Sequence, residues 1–349
     1  IKEAFKYMKF DVVIGNPPYQ EQAAGANTKQ PSIYNYFMDL SYGLAQRAVL
    51  ITPAKFLSNA GDTPKSWNEK MLHDSHLRIV HYEQNSANIF PNTDIKGGVV
   101  VTLRDATQNF GEIGIFTPLP ELQSILKKVT SMAKQSFNEI AFSSTSYKFS
   151  DRLLQDHPDI ETRRPKGHKY DIAPNIFEVL PEIFFDKQPS DNDEYVRLLG
   201  RLKGDRVYKW IKRAYLKNHP NLDKYKVIVP HSNGSGALGE VVSTPLVGTP
   251  LVGTTQTFMT FGQFDNRSEA EAALKYVKTK FARAMLGVLK VTQHNPISVW
   301  EKVPLQNFTS ESDIDWMTSV GEIDNQLFSK YGLDQQEIAF IEEKVQGME

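Results

Sequence analysis

The sequence contains no cysteine among its 349 residues, which excludes disulfide bonds, thiolate metal sites and cysteine nucleophiles. It also lacks an apolar run of the roughly 20 residues that a membrane-spanning helix needs. An excess of charge is missing too, because 40 basic residues face 41 acidic residues. Contact with nucleic acid would therefore have to come from a local basic patch. The eight histidines show no metal-ligand spacing, so no metal is predicted.

Short apolar runs alternate with helical patterns over residues 10–116. The predicted strands lie at residues 12–14, 49–51, 79–82 and 99–103. A helical pattern follows the first strand, and a short strand, a turn and a helix are predicted over residues 111–130. Buried strands separated by helices predict an α/β fold with a mainly parallel sheet covered on both faces.

The rest of the chain differs in character. Residues 140–265 are rich in Pro, Gly, Asn, Asp and basic residues, which predicts short strands and long loops. A tandem repeat, Thr-Pro-Leu-Val-Gly, occupies residues 244–253 and is interpreted as a duplication in a surface loop or hairpin. The C-terminal part is predicted to be helical, with Gly332 ending one helix. Its predicted capping boxes pair Ser268 with Glu271, Ser319 with Glu322 and Asp334 with Glu337.

The most informative motif is Asn16-Pro17-Pro18-Tyr19, which directly follows an apolar strand ending in Gly15. Two prolines stiffen the loop and leave Pro17 with a bare carbonyl, and the Asn16 side chain offers a second acceptor. Two acceptors directed at one point suit a planar amino group, because they favour the pyramidal nitrogen that forms as it attacks a methyl donor. Tyr19 offers a flat face on which a planar substrate can stack.

This motif and its surroundings resemble the gamma class of adenine-N6 DNA methyltransferases, in particular the large methylases of restriction–modification enzymes. The resemblance rests on residues 10–19, 48–57, 89–101, 303–308, 313–316 and 323–324. It implies a partial Rossmann-like sheet with only its C-terminal strands, then an α+β target-recognition domain and C-terminal helices. The expected domains are residues 1–135, 136–310 and 311–349.

The resemblance also implies roles for individual residues. Asn16, Pro17, Pro18 and Tyr19 would form the catalytic loop, and Tyr19 and Phe90 would stack on an adenine flipped out of the duplex. An aromatic residue before proline at a strand edge is often only part of the core, so that alternative stays open for Phe90.

The implied partner is double-stranded DNA, the implied cofactor is S-adenosylmethionine, and the implied location is the prokaryotic cytoplasm. In this family the glycine-rich loop for the methionine moiety lies upstream of the motif, yet only nine residues precede Phe10. We therefore expect most of the cofactor pocket to lie outside this chain and the fragment alone to be inactive. The resemblance implies upstream methyltransferase domains in the same polypeptide and leaves open whether a nuclease domain precedes them.

Two basic clusters are candidates for DNA contact, although such runs are often only solvated surface. The candidate residues are Arg163, Arg164, Lys166, Arg201, Lys203, Arg206, Lys209, Lys212 and Arg213.

Two other functions fit the same motif. The chain could be a DNA-specificity module without catalysis, or an amino-methyltransferase acting on RNA or on protein glutamine. The long region after residue 103 favours DNA, because it is large enough for a target-recognition domain.

Overall fold

The computed structural model describes residues 10–21, 31–58, 63–93, 95, 97–234, 237–290 and 293–348. The chain divides into two compact units, Ile1–Gln123 and Ser124–Glu349. No helix in the described ranges is both long and apolar enough to cross a bilayer. The three-part domain division expected from the sequence stays a prediction.

The first unit is built on a four-stranded sheet. Its strands are β1 (Phe10–Gly15), β2 (Ala45–Pro53), β3 (Leu77–Glu83) and β4 (Val99–Asp105), in the order β1-β2-β4-β3. Its helices are α1 (Tyr34–Leu44), α2 (Lys65–Leu72) and α3 (Pro120–Met132), the last of which crosses the boundary between the units. All four strands predicted from the apolar runs are present, whereas residues 111–116 form no strand.

The prediction of a mainly parallel sheet holds for three of the four strands. β1 and β2 pair parallel, and β4 is antiparallel to both β2 and β3, so β3 points in the same direction as β1 and β2. The antiparallel strand β4 between β2 and β3 was not predicted. The described part of the connection from β3 to β4 contains a single 3₁₀ turn, Ser86–Asn88, and no crossover helix. A parallel neighbour needs a long crossover, so a strand returning through such a loop pairs antiparallel.

The two faces of this sheet differ. One face carries Val13, Leu50 and Val100, which pack in a cluster with residues of α1 and α2. On β1, Val12 and Ile14 are 44% and 79% exposed, so the prediction that both faces are covered does not hold within the described residues. Apolar composition predicts that a strand is suited to burial, but it does not say what covers each face.

The described residues of the second unit form two sheets. One has three strands in the order β10-β6-β7, and the other has four in the order β5-β11-β8-β9. The strands are β5 (Ala141–Phe142), β6 (Tyr195–Leu202), β7 (Asp205–Lys212), β8 (Tyr225–Pro230), β9 (Leu246–Gly248), β10 (Val252–Thr254) and β11 (Phe258–Phe264). Short helices α4 (Asp151–Asp156), α5 (Ile160–Arg163) and α6 (Ile176–Val179) precede β6. The described residues thus form a mixed α/β architecture, and the predicted α/β class is confirmed at that level.

The tandem repeat forms neither a surface loop nor a hairpin, contrary to the interpretation from sequence, because its two strands do not pair with each other. Its first copy supplies β9 to the four-stranded sheet, and its second copy supplies β10 to the three-stranded sheet. The glycine of each copy packs closely, since an added Cβ would lie 2.7 Å from Ile228 at Gly248 and 2.8 Å from Leu198 at Gly253. The repeat therefore joins the two sheets at positions where larger side chains do not fit.

Four α-helices follow β11 in the part of the chain that the structure describes. They are α7 (Arg267–Lys278), α8 (Lys280–Gly287), α9 (Val320–Lys330) and α10 (Gln335–Lys344). The capping boxes of Ser319 with Glu322 and of Asp334 with Glu337 are confirmed. The box predicted at Ser268 is wrong, because the N-cap of α7 is Asn266, two residues before Ser268, and the Asn266 side chain accepts from the Glu269 amide.

Candidate functional site

The Asn16-Pro17-Pro18-Tyr19 loop begins where β1 ends. The ladder between β1 and β2 runs up to the pair of Gly15 with Leu50, so the loop leaves a fixed strand end. Asn16 and Pro18 are exposed, and Pro17 is partly buried. The two prolines restrict the backbone, so the loop presents acceptors with little conformational freedom to lose.

The far end of the loop is also held by backbone hydrogen bonds. The Ile33 amide donates to the Tyr19 carbonyl at 3.0 Å, and the Glu21 amide donates to the Pro31 carbonyl at 3.1 Å. Gln20 and Ser32 form an isolated antiparallel bridge between these two contacts. The catalytic loop predicted from the sequence is therefore anchored to β1 on one side and to the segment leading into α1 on the other.

Tyr19 is half-buried and packs against the apolar cluster of the first unit. Its hydroxyl is inaccessible to solvent and has no hydrogen-bond partner among the described residues. Burial raises the pKa of Tyr19 to about 12, so the ring stays uncharged at neutral pH. The buried edge holds the ring in place and leaves the remainder of its surface for other contacts.

Phe90 lies in the loop after β3, and local hydrogen bonds hold it there. Its amide donates to the Ser86 carbonyl at 2.8 Å, and its carbonyl accepts from the Thr93 amide at 3.2 Å. Ser86 is buried, and its hydroxyl accepts from the Ile95 amide at 2.8 Å. Asn92 adopts a left-handed backbone with φ of 65°, which lets the loop turn back tightly after Phe90.

The fold brings the rings of Tyr19 and Phe90 together. Their centroids are 6.5 Å apart, and their planes meet at 69° in an edge-to-face contact. Bases in DNA stack at about 3.4 Å, so a base held between two parallel rings would separate them by about 7 Å. In the observed edge-to-face pair the two rings touch each other directly, so the Phe90 ring would have to turn and move away before a base could lie between the two.

The first group of basic candidates is engaged within the protein. Arg163 pairs with Asp159 and Glu182. Arg164 is only 8% exposed, and its guanidinium donates to the carbonyls of His168 and Asp171. A buried guanidinium that donates to backbone carbonyls is poorly placed to reach a phosphate, whereas Lys166 is exposed.

Six further candidates lie on or directly after the β6–β7 hairpin, and three of them are neutralised by acids. Lys209 pairs with Asp186, and Lys212 pairs with Asp193. Arg213 holds Asp223 through two parallel hydrogen bonds of 2.8 and 2.6 Å. Lys209, Lys212 and Arg213 are therefore each neutralised by an aspartate of the protein itself.

The other three candidates lie near the tip of the hairpin. Arg201 and Arg206 stand directly opposite each other in the β6–β7 register. Lys203 is exposed in the turn between the two strands. The structure thus sorts the basic cluster into paired residues at the base of the hairpin and a basic tip.

Sequence reasoning missed the aromatic residues on this hairpin. The guanidinium carbon of Arg197 lies 5.2 Å from the ring centroid of Tyr208 and 5.6 Å from that of Trp210. The sequence pattern that could have revealed them is the alternation of Arg206, Tyr208 and Trp210, because a strand places every second residue on the same face. Within the described ranges, no group of three or more acidic or histidine side chains is arranged to hold a metal ion.

The first part of the chain is similar to known methylases. Residues 1–90 match the family described as the Eco57I restriction-modification methylase. An uncharacterized adenine-specific methylase of Mycoplasma pneumoniae (strain ATCC 29342 / M129 / Subtype 1) is 31% identical over 101 residues, which are 28% of this chain and 24% of that protein. The resemblance to restriction–modification adenine methylases, inferred from the motif, is thereby confirmed.

Two solved structures are also similar to this chain. The type IIG restriction endonuclease BpuSI aligns with a TM-score of 0.35 and 11% identity, covering 98% of this chain and 53% of that one. The type IIL restriction-modification enzyme MmeI, in complex with DNA, aligns with a TM-score of 0.35 and 10% identity, covering 96% of this chain and 56% of that one. This chain therefore spans little more than half the length of either structure.

Proposed function

We propose that this chain carries the base-binding loop of a site-specific DNA methyltransferase that methylates the N6 amino group of adenine within a restriction–modification system. The observation that carries the proposal is the anchored Asn16–Tyr19 loop with Phe90 beside it. The family match over residues 1–90, which include both segments, supports it.

In this proposal the loop acts on the amino group that receives the methyl group. The Asn16 side-chain oxygen and the Pro17 carbonyl oxygen each accept a hydrogen bond from one N–H of this amino group. Both acceptors gain strength as the nitrogen becomes pyramidal, so they stabilise the transition state more than the ground state. Asn16 is exposed at the end of β1, so it is accessible to a base that enters from solvent.

The two aromatic rings hold the base. Flipping a base out of the duplex costs a few kcal/mol. Stacking on an aromatic ring returns about 1–3 kcal/mol for each ring. The hydrophobic anchoring of Tyr19 keeps that ring fixed, so the adjustment on binding falls on Phe90, which must turn from its edge-to-face position.

The methyl donor in this proposal is S-adenosylmethionine, which supplies an activated methyl group when bound. The turn after β1 does not fit the role of a cofactor loop. Two of its four residues are prolines without an amide hydrogen, whereas a loop that cradles an anionic group needs backbone donors. The roles that we assign to residues of this loop therefore concern only the base that receives the methyl group.

The second unit is proposed to be the target-recognition domain and to bind duplex DNA. Its exposed cations near the hairpin tip support that role. The first unit is proposed to be the C-terminal strands of a Rossmann-like methyltransferase sheet, which is supported by the parallel β1–β2 pair and by the motif at the end of β1.

The test is expression of the native gene in a bacterial host that lacks its own DNA methylases. Mass spectrometry of digested DNA should detect N6-methyladenine, and sequencing should locate it within one motif. Asn16→Ala should abolish methylation and leave DNA affinity nearly unchanged, because its acceptor acts mainly in the transition state. Tyr19→Ala should reduce methylation strongly, and Tyr19→Trp much less.

The matched control is Tyr36→Ala, which removes a tyrosine of α1 that is 65% exposed and lies outside the loop. It should leave methylation unchanged. Equal losses in Tyr19→Ala and Tyr19→Trp would refute stacking. Methylated RNA or methylglutamine in place of N6-methyladenine would refute the proposed substrate, and loss of DNA binding by Asn16→Ala would show a structural role for that residue.

A further inference from the structure

We propose that the β6–β7 hairpin enters the major groove of the substrate DNA and that Arg201 and Lys203 at its tip contact guanine bases. This inference rests on the proposed function, in that it assumes a duplex DNA substrate. It adds the element that reads the sequence and the base that this element recognises.

The shape of the hairpin suits a groove. The strands pair in continuous register from Tyr195 with Lys212 to Leu202 with Asp205, and β10 lies beside β6 only at Arg197–Leu199, so the hairpin is two-stranded beyond Leu199. Only Lys203 and Gly204 lie between them, and both have positive φ, 51° and 93°. Such a two-residue turn makes a narrow ribbon. The major groove of B-DNA is about 12 Å wide and admits a two-stranded ribbon of this kind.

Asp205 is the one acid at the tip, and it forms no ion pair with Arg201 or Lys203 among the described residues. Arg201 faces Arg206 directly across the two strands, and like charges in that position are destabilising. The side chains of Arg201 and Lys203 form no ion pair or hydrogen bond with any residue that the structure describes. Lys209, Lys212 and Arg213, at the other end of the hairpin, all have acidic partners. The two facing arginines destabilise the hairpin, and neither tip cation is neutralised within the described part of the protein. An anionic or electron-rich ligand at the tip would relieve this repulsion.

Arg206 supports Arg201 from the opposite strand. Its guanidinium donates to the carbonyls of Thr244 at 2.6 Å and Ser243 at 3.0 Å. It also lies 5.2 Å from the ring centroid of Phe258. Arg206 is therefore held against the protein, and the repulsion between the two guanidinium groups directs Arg201 toward solvent.

Backbone strain concentrates around the same hairpin. The described residues include four non-glycine positions with positive φ, and three of them are Lys203, Thr244 and Leu251. Thr244 accepts from Arg206, and the Leu251 carbonyl accepts from the Arg197 amide at 2.9 Å. Strained backbone of this kind persists where surrounding contacts fix it, and it clusters at binding sites.

The hydrogen-bond donors of Arg201 and Lys203 indicate which base they would contact. Arginine and lysine carry only hydrogen-bond donors, and guanine presents two acceptors, O6 and N7, in the major groove. Adenine and cytosine each place a donor in that groove and so match these side chains less well. Tyr208, 41% exposed on the same face, would flank the contacted bases.

The experiment measures specificity and affinity in the same variants. Arg201→Ala and Lys203→Ala in the native protein should relax the methylated motif at one or two guanine positions. Discrimination against the wrong base should fall about 5- to 150-fold at each such position. Lys209→Ala, on the opposite face of the same hairpin and paired with Asp186, is the matched control and should leave the motif unchanged.

Binding selection from a random duplex library keeps the test independent of catalysis. The guanine positions lost in the selected sites of Arg201→Ala should be those lost from the methylated motif. Uniform weakening on all sequences, with a salt slope reduced by about one, would show a phosphate contact and overturn the inference. An unchanged motif would also overturn it. Absence of N6-methyladenine from the native protein, with selection still affected, would instead refute the proposed reaction.

Discussion

Replacing Lys226 with methionine should remove a pH dependence of stability from the second unit. Lys226 lies on β8 and is fully buried. Its ammonium group donates to the carbonyls of Leu222 at 3.2 Å and Val252 at 2.8 Å. Burial lowers the pKa of Lys226 to about 7, and the nearby charge of Asp223 opposes this shift without cancelling it.

The sign of the effect follows from proton binding. Between pH 7 and the ordinary lysine pKa, the unfolded chain keeps the Lys226 proton and the folded chain loses it. Because the unfolded state then binds more protons, the free energy of unfolding rises with pH across this window. For one group with these two pKa values, the rise between pH 7 and pH 9 is about 2 kcal/mol.

Urea unfolding at pH 7 and pH 9, followed by tryptophan fluorescence, measures this difference. Three of the four tryptophans, Trp210, Trp300 and Trp316, lie in the second unit. Lys226→Met should lose the rise of about 2 kcal/mol, and Lys224→Met, a neighbour whose side chain is 42% exposed, should keep it. A rise of the same size in wild type and Lys226→Met would refute the argument.

Three local substitutions test the packing of the second unit by thermal unfolding of the full chain. Gly253→Ala should destabilise the protein by about 1–3 kcal/mol, because its Cβ would lie 2.8 Å from Leu198; an unchanged melting temperature would contradict this. Gly321→Ala, in α9 with open space around the new methyl group, should instead stabilise by up to about 1 kcal/mol. Ser319→Ala removes the cap of α9 and should cost about 1 kcal/mol, whereas Ser319→Asp, which keeps an acceptor, should cost less.

Several features could be predicted from the sequence because short-range interactions decide them. The four strands of the first unit follow from apolar runs, and their positions are confirmed. The caps at Ser319 and Asp334 depend on residues within four positions and are also confirmed. The Asn16–Tyr19 motif predicts a stiff loop at a strand end, because proline rigidity and an adjacent strand end are local properties, and its role as the amino-binding loop stays a prediction.

Long-range contacts decided the rest. The antiparallel placement of β4 between β2 and β3 was not predicted, since the apolar runs are the same for parallel and antiparallel neighbours. Only the tertiary structure shows that the two copies of one repeat enter different sheets, and that Tyr19 and Phe90 meet edge to face. It also separates Lys209, which has an acidic partner, from Arg201, for which none is described. Composition counts charges, but their availability to a ligand depends on which acids the fold brings within a few ångströms, and no local pattern encodes that.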